Sequence, residues 1–241
     1  GTPGLVRMLE LAHRRHGRLR WARLFEPAIR LAEQGFPVSP RLHAQIAGNR
    51  DLYDQPAARA YFYPDDKPAA VGHLLKNPAL AQVLTRVAQQ GPTAFYQGEI
   101  AQALQKFSDA NGGSLKVSDL TAYRVQWVEP LAKDYRGYTL HEIPPNGQGI
   151  AAQMALGILS HFDLASMPVD GAEAEHLKIE AMKLAFADVY RYVAEPSAME
   201  VTPAQMLDAA YLKQRAQLID MKKAQDFGAG NPVKGGTIYL S

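Results

Sequence analysis

One segment of the chain, residues 125–161, constrains the fold more than any other. Residues 125–131 and 135–143 are rich in aromatic and β-branched side chains, a composition that favours strands. A tight loop at 144–149 leads directly into an apolar stretch that predicts a helix ending near His161. The sequence therefore predicts a small β element within a largely helical chain.

Helical patterns lie on both sides of this β element. Residues 1–124 are mostly helical, and the hairpin with its loop occupies 125–149. Residues 150–223 are helical again, with a last helix over 203–223, and residues 224–241 form a Gly-rich tail. The order predicts a helical layer interrupted by one hairpin.

The two ends of the chain indicate a piece of a longer protein. Thr2 and Pro3 form a helix start, as cap and first helical residue, with no leader before them. The last five residues alternate polar and apolar like a strand, and a strand without a partner is rarely stable. We therefore expect residues 1–241 to be an incomplete domain.

Composition excludes several classes of function. A formal net charge of +2 is too small to indicate a nucleic-acid partner, and the arginines near the start predict a solvated helix face. The absence of cysteine excludes disulfides, thiolate nucleophiles and zinc–sulfur sites, and nothing indicates a metal or an organic cofactor. No apolar run reaches the roughly 18 residues of a membrane span.

A small hydroxyl residue follows two glycines near the end, in Gly235-Gly236-Thr237. Threonine is a weak nucleophile unless a base lies beside it, and cleavage before Thr237 would free an α-amino group to serve as that base. The glycines allow the backbone to bend so that the Thr237 oxygen reaches the preceding carbonyl. Taken alone, the motif favours a plain turn into a strand.

Several stretches, in the same order, resemble the large subunit of γ-glutamyltranspeptidases. No single stretch is decisive, but the ordered set is specific and spans nearly the whole chain. The stretches are Thr2-Pro3-Gly4 with 26–38 (EPAIRLAEQGFPV), 120–124 (LTAYR) with 129–131 (EPL) and 135–138 (YRGY), 144–150 (PPNGQGI), and 180–188 (EAMKLAFAD) with Arg191-Tyr192.

The resemblance implies an N-terminal-nucleophile hydrolase of the α/β (α+β) class, an αββα sandwich of which this chain is a helix-rich large-subunit portion. It implies a precursor that cleaves itself between Gly236 and Thr237. The freed Thr237 would attack a γ-glutamyl amide such as glutathione and pass the acyl group to water or an amino acid. The implied partners are that small-molecule substrate and the small subunit of the same precursor. The compartment stays open between periplasm and cytoplasm, and the resemblance leans to the periplasm.

Two stretches depart from the family's usual pattern. Thr237-Ile238-Tyr239 stands where the family has Thr-Thr-His, and residues 146–149 stand where it has Ser-Ser-Gly-Gly. Both resemble a γ-glutamyltransferase-like branch, so a glutaryl or cephalosporin-type acylase stays an alternative, as does a non-catalytic helical binding domain. The resemblance places a substrate-binding arginine before Gly1 and the oxyanion-hole glycines after Ser241, so we expect the 241 residues alone to be inactive.

Two further groups are candidates for a site. Asn146-Gly147-Gln148-Gly149 opens a helix, whose N–H groups predict an anion or substrate-carboxylate site, and a plain tight turn is the equal alternative. Asp188 and Arg191 are three apart, which predicts a pair on the helix surface, with a wall of the active site as the alternative.

Overall fold

The computed structural model describes residues 2–233, which divide into two compact units at the boundary between Gln126 and Trp127. Helices dominate both units. The strands in the described part form two antiparallel sheets of two strands each. Across residues 2–233, every helix is too short or too polar to cross a lipid bilayer.

The first unit consists of short helices and one two-residue ladder that pairs Phe36 with Leu75. Its cores are small, one around Ile46 and Tyr63 and another around Tyr96. Its elements are α1 (Leu5–His16), α2 (Glu26–Gln34), β1 (Phe36–Pro37), α3 (Pro40–Gly48), α4 (Pro56–Phe62), β2 (Leu74–Leu75), α5 (Pro78–Gln90), α6 (Thr93–Tyr96), α7 (Gly98–Ala110) and α8 (Val117–Ala122), with 3-10 turns at Trp21–Leu24, Arg50–Tyr53 and Pro64–Asp66.

The start of α1 corrects the predicted cap. The helix begins at Leu5, and Gly4 occupies the N-cap position without a side-chain hydrogen bond, so Thr2 lies too far upstream to cap it. Gly4 lies against the Tyr123 ring, where a β-carbon would overlap the phenol oxygen. Close packing therefore selects glycine at this position.

The second unit is built around α9, which packs mainly against α10. Ile150, Met154 and Ile158 of α9 are fully buried, and each such side chain contributes about 1.5–3 kcal/mol. Its elements are β3 (Leu131–Tyr135), β4 (Tyr138–Glu142), α9 (Ile150–Leu159), α10 (Ala172–Tyr192), α11 (Pro203–Met206) and α12 (Ala209–Ala216), with 3-10 turns at Leu164–Ser166 and Pro196–Ala198.

The hairpin forms, but its first strand begins at Leu131 and not at residue 125. Leu131 already pairs with Glu142, the last residue of β4. Beyond Glu142 the chain soon reaches Pro144 and Pro145, which have no N–H to continue a ladder. The hairpin turn itself is two residues long, with positive φ at Arg136 (50°) and Gly137 (84°), the geometry of a type I′ turn.

The predicted last helix over 203–223 is also wrong in its extent. Thr202 caps α11 by accepting from the Gln205 N–H at 3.2 Å, and the helix ends at Met206. Asp208 then caps a separate helix, α12, by accepting from the Tyr211 N–H at 2.9 Å. Two caps within one helical pattern divide it, because each fixes a non-helical backbone at its own position.

Candidate functional site

The loop at 144–149 is a tight turn whose polar side chains face solvent. Asn146, Gly147 and Gln148 are exposed, whereas Pro145 is buried. The Ala151 N–H donates to the Gln148 carbonyl at 2.9 Å, so α9 winds directly out of the loop. Substrate binding by these residues stays a prediction.

Glu142, at the end of β4, lies directly against Gly149. A β-carbon on Gly149 would overlap the Glu142 carboxylate, so a larger residue there would displace the Glu142 side chain. On the other side, buried Gln153 of α9 donates to the carbonyls of Leu131 (2.9 Å) and Leu140 (3.1 Å). Hairpin, loop and helix are therefore locked together.

An apolar cavity of about 340 Å³ lies beside Pro144 and Pro145. The hydroxyl of Thr202, which also lines it, is engaged with the Gln205 side-chain oxygen at 3.0 Å. With no charged side chain in its lining, the cavity suits an apolar group rather than a carboxylate or an ammonium. Its lining consists of Val128, Pro144, Pro145, Pro196, Met199, Val201, Thr202 and Pro203.

The predicted processing site, Gly236 and Thr237, lies outside the described residues. The segment that leads towards it is described as far as Val233. That segment, residues 220–230, is named here the anchored segment, because side chains of α10 bind it along most of its length.

One of the side chains that bind the anchored segment is a buried carboxylate, Asp188. Its Oδ1 accepts from the Gly230 N–H at 2.7 Å and lies 3.1 Å from Arg215 Nη2, and its Oδ2 accepts from the Tyr211 hydroxyl at 2.7 Å. Asp188 is fully buried and Arg215 is 5% exposed. One carboxylate thus joins α10, α12 and the anchored segment.

The predicted surface pair of Asp188 with Arg191 is therefore wrong. Arg191, in the last turn of α10, reaches outward and bonds Glu200 at 2.8 Å. Asp188 instead faces α12, where Tyr211 and Arg215 stand four residues apart on the buried side of that helix. The spacing of Tyr211 and Arg215 shows only that they share a face of α12, and the sequence does not indicate that this face is buried against Asp188.

Other side chains hold the backbone on either side of the Asp188 contact. Arg215 donates to the Gly228 carbonyl at 2.9 Å, and the Tyr192 hydroxyl donates to the Gly230 carbonyl at 2.6 Å. Since Asp188 accepts from the Gly230 N–H, both backbone polar groups of Gly230 are bound by side chains of α10.

The contacts continue towards the start of α10. Glu180, fully buried, accepts from the Gln225 N–H at 3.1 Å and from Lys183 at 2.7 Å. His176 Nε2 lies 2.9 Å from the Asp220 carbonyl oxygen. Positions 176, 180, 188 and 192 lie on one row of the helix at multiples of four, a length of about 24 Å along its axis.

Burial governs the titration of this network. It raises the pKa of the Asp188 carboxyl above its usual value, and the bonds from Gly230, Arg215 and Tyr211 act against that rise. Burial, together with the Asp188 charge, raises the pKa of the Tyr211 hydroxyl far above its usual value. Tyr211 therefore stays protonated and donates.

Comparison with known proteins decides the family. The family model described as gamma-glutamyltranspeptidase matches residues 1–241. The chain belongs to this family. The resemblance seen in the ordered stretches is thereby confirmed.

Relatives in the γ-glutamyltranspeptidase family carry two kinds of name. The chain is 37% identical over 231 residues to the acylase ACY 1 proenzyme of Pseudomonas sp. (strain SE83), covering 95% of this chain and 41% of that protein. It is 32% identical over 237 residues to the glutathione hydrolase proenzyme of Escherichia coli (strain K12), covering 97% of this chain and 41% of that protein. The chain thus spans about two fifths of the length of these relatives.

A solved γ-glutamyltranspeptidase shares the fold. The structure from Helicobacter pylori matches with a TM-score of 0.84 at 27% identity, over 96% of this chain and 66% of that chain. The predicted class, a helix-rich α+β portion of this type of hydrolase with a small β element, is confirmed.

Proposed function

We propose that this chain forms the large-subunit portion, residues 1–236, and the first residues of the small subunit of a γ-glutamyl hydrolase or acyltransferase. The observation that carries the proposal is the family match over all 241 residues, with relatives that are named proenzymes. The anchored segment supports it, since side chains of α10 hold the chain shortly before Gly236 and Thr237.

The first step is cleavage of the precursor. The Thr237 hydroxyl oxygen attacks the Gly236 carbonyl carbon, the C–N bond between the two residues breaks, and the hydroxyl proton passes to the departing nitrogen. Water then hydrolyses the resulting ester. The products are a carboxylate on Gly236 and a Thr237 with its hydroxyl restored and its α-amino group free.

The second step uses the freed Thr237 as nucleophile. Its α-amino group takes the hydroxyl proton as the oxygen attacks the γ-carbonyl of the substrate, and that proton passes to the leaving amine. The amine suits this role because α-amino groups have pKa values near about 8. Water or an amino acid then accepts the acyl group. This chemistry requires the hydroxyl and the amine of one residue.

The test of processing is a denaturing gel on the complete open reading frame that encodes these residues. Wild type is expected to separate into two bands with Thr237 at the new N-terminus. T237A is expected to stay intact because it lacks the hydroxyl, whereas T237S keeps the hydroxyl and is expected to cleave. An intact wild type would contradict the proposal and favour a non-catalytic helical binding domain.

A glutaryl or cephalosporin-type acylase is the second candidate. The acylase proenzyme matches at 37% identity, against 32% for the glutathione hydrolase of Escherichia coli. γ-Glutamyl and glutaryl anilides differ only in the α-amino group, so comparing kcat/KM for this pair on the processed enzyme decides between the two. Faster release from the γ-glutamyl anilide supports the first function, and faster release from the glutaryl anilide supports the second.

The 241 residues on their own are expected to release no product from either anilide. An oxyanion hole commonly supplies about 10²–10³ in rate, and the resemblance places its glycines after Ser241. Catalytic release by the isolated chain would contradict this expectation.

A further inference from the structure

The Gly230 backbone is the most tightly bound point of the anchored segment, and it precedes Thr237 by seven positions. Seven extended residues reach at most about 25 Å, so fixing Gly230 limits where the scissile bond can lie. Because Asp188 and Tyr192 bind both its N–H and its C=O, they fix the direction in which the chain leaves as well as its position.

We propose that Asp188 is a positioning residue for the cleavage before Thr237, acting through the Gly230 backbone. The proposal rests on the proposed function, since it requires that the precursor cleaves there. Asp188 takes no part in the bond making itself. Its role is to hold the segment so that the Thr237 hydroxyl and the Gly236 carbonyl meet.

The cost of burying the charge supports this assignment over simple stabilisation. A buried ion pair is often no more stable than well-packed apolar side chains of the same volume, so Asp188 and Arg215 are a poor means of holding α10 to α12. A carboxylate offers what an apolar side chain lacks, an acceptor for the Gly230 N–H. Arg215 adds a donor for the Gly228 carbonyl.

The residue type at position 230 fits the same role. A β-carbon on Gly230 would overlap the Tyr211 hydroxyl and come within 3.1 Å of Arg215 Cδ. A side chain at position 230 would therefore have to displace Tyr211 or the segment itself, so glycine suits this close approach to α12.

The first test compares D188N with L184A in the complete precursor, by the half-time of cleavage on a gel. D188N keeps the shape but leaves one neutral acceptor oxygen where the carboxylate serves the Gly230 N–H, Arg215 and the Tyr211 hydroxyl, so these three donors compete for it. We expect cleavage to slow by about tenfold to a hundredfold, the effect of a small misplacement of reacting groups. Leu184 is fully buried on the same helix, so L184A is a control for lost stability. Well below its unfolding temperature, L184A is expected to cleave at close to the wild-type rate.

The second test does not depend on D188N folding. G230A is expected to slow cleavage because its methyl group meets the Tyr211 hydroxyl, and Y211F removes that oxygen. The double variant G230A/Y211F is therefore expected to cleave faster than G230A, although Y211F by itself loses the bond to Asp188. Both variants are compared well below their unfolding temperatures, so that a faster double variant reports the relieved overlap at Gly230 and not a change in the folded fraction.

Three outcomes overturn the inference, and they are distinguishable. A wild-type precursor that stays intact removes the proposed function and this inference together. A wild type that cleaves, with D188N no slower than L184A, removes only the inference. G230A at the wild-type rate removes it as well, even where D188N fails to fold.

Discussion

Replacing Arg215 with methionine tests how much this side chain stabilises the buried charge of Asp188. Arg215 bonds Asp188 at 3.1 Å and the carbonyls of Leu184 (3.2 Å) and Gly228 (2.9 Å), and it is 5% exposed. R215M leaves the Asp188 carboxylate buried without its countercharge. Breaking a buried pair on one side costs about 3–5 kcal/mol, so we expect the free energy of unfolding at neutral pH to fall by that amount.

The pH dependence follows from the pKa of Asp188. Burial raises this pKa in the folded protein, so the contribution of Asp188 to stability is complete below its unfolded pKa and is lost as the pH rises through the folded value. Arg215 opposes that rise, and R215M removes the opposition. The loss of stability in R215M is therefore expected to be larger at about pH 8 than at about pH 5. At the lower pH the buried Asp188 takes up a proton more readily and sheds its unpaired charge, whereas the unfolded carboxyl, with a pKa of about 3.9, is ionised at both pH values.

Urea unfolding followed by circular dichroism measures this difference at both pH values. K213M, an exposed lysine on the same helix, is the control and is expected to stay within about 0.5 kcal/mol of wild type. The double variant D188N/R215M leaves no unpaired charge, so its cost is expected to be below the sum of the single costs by about 1–3 kcal/mol. A cost for R215M that is equal at the two pH values, with additive single variants, would refute the reasoning.

Three further substitutions test local features by the same unfolding measurement. Q153L removes two buried hydrogen bonds between α9 and the hairpin and is expected to cost about 2 kcal/mol, whereas Q148L in the exposed loop is expected to cost almost nothing. Equal costs would contradict the conclusion that Gln153 holds α9 to the hairpin. G137A forces a side chain into positive φ (84°) and is expected to cost about 1–2 kcal/mol, whereas G147A, which has open space around it, is expected to be tolerated. A larger loss of stability in G147A than in G137A would refute the turn assignment. N77A removes the cap that accepts from the Leu80 N–H at 2.9 Å and is expected to cost about 1 kcal/mol; no loss would show that the cap is dispensable.

Helices with signals at both ends were predictable from the sequence. Asn77-Pro78 and Gly91 bound α5, and the structure places the cap, the first residue and the positive-φ end at those positions. Asn111 likewise follows the end of α7. Capping and glycine geometry act within a few residues, so the sequence contains all the information that such ends require.

Elements that depend on distant partners were predicted less well. Residues 125–130 have the composition of a strand, but β4 offers no partner beyond Glu142. Within residues 1–124, predicted as mostly helical without individual bounds, α3 and α4 pack around Ile46 and Tyr63. Strand propensity and short helices are decided by what packs against them, which a local pattern does not report.

For the candidate site, the sequence by itself determined the family, the tight loop at 144–149, and the prediction of Thr237 as nucleophile. The tertiary structure alone decided that Asp188 turns inward to the Gly230 N–H and away from Arg191. The reason is physical: spacing along a helix identifies which residues share a face. Only packing decides which of them lose their water and need partners from another part of the chain.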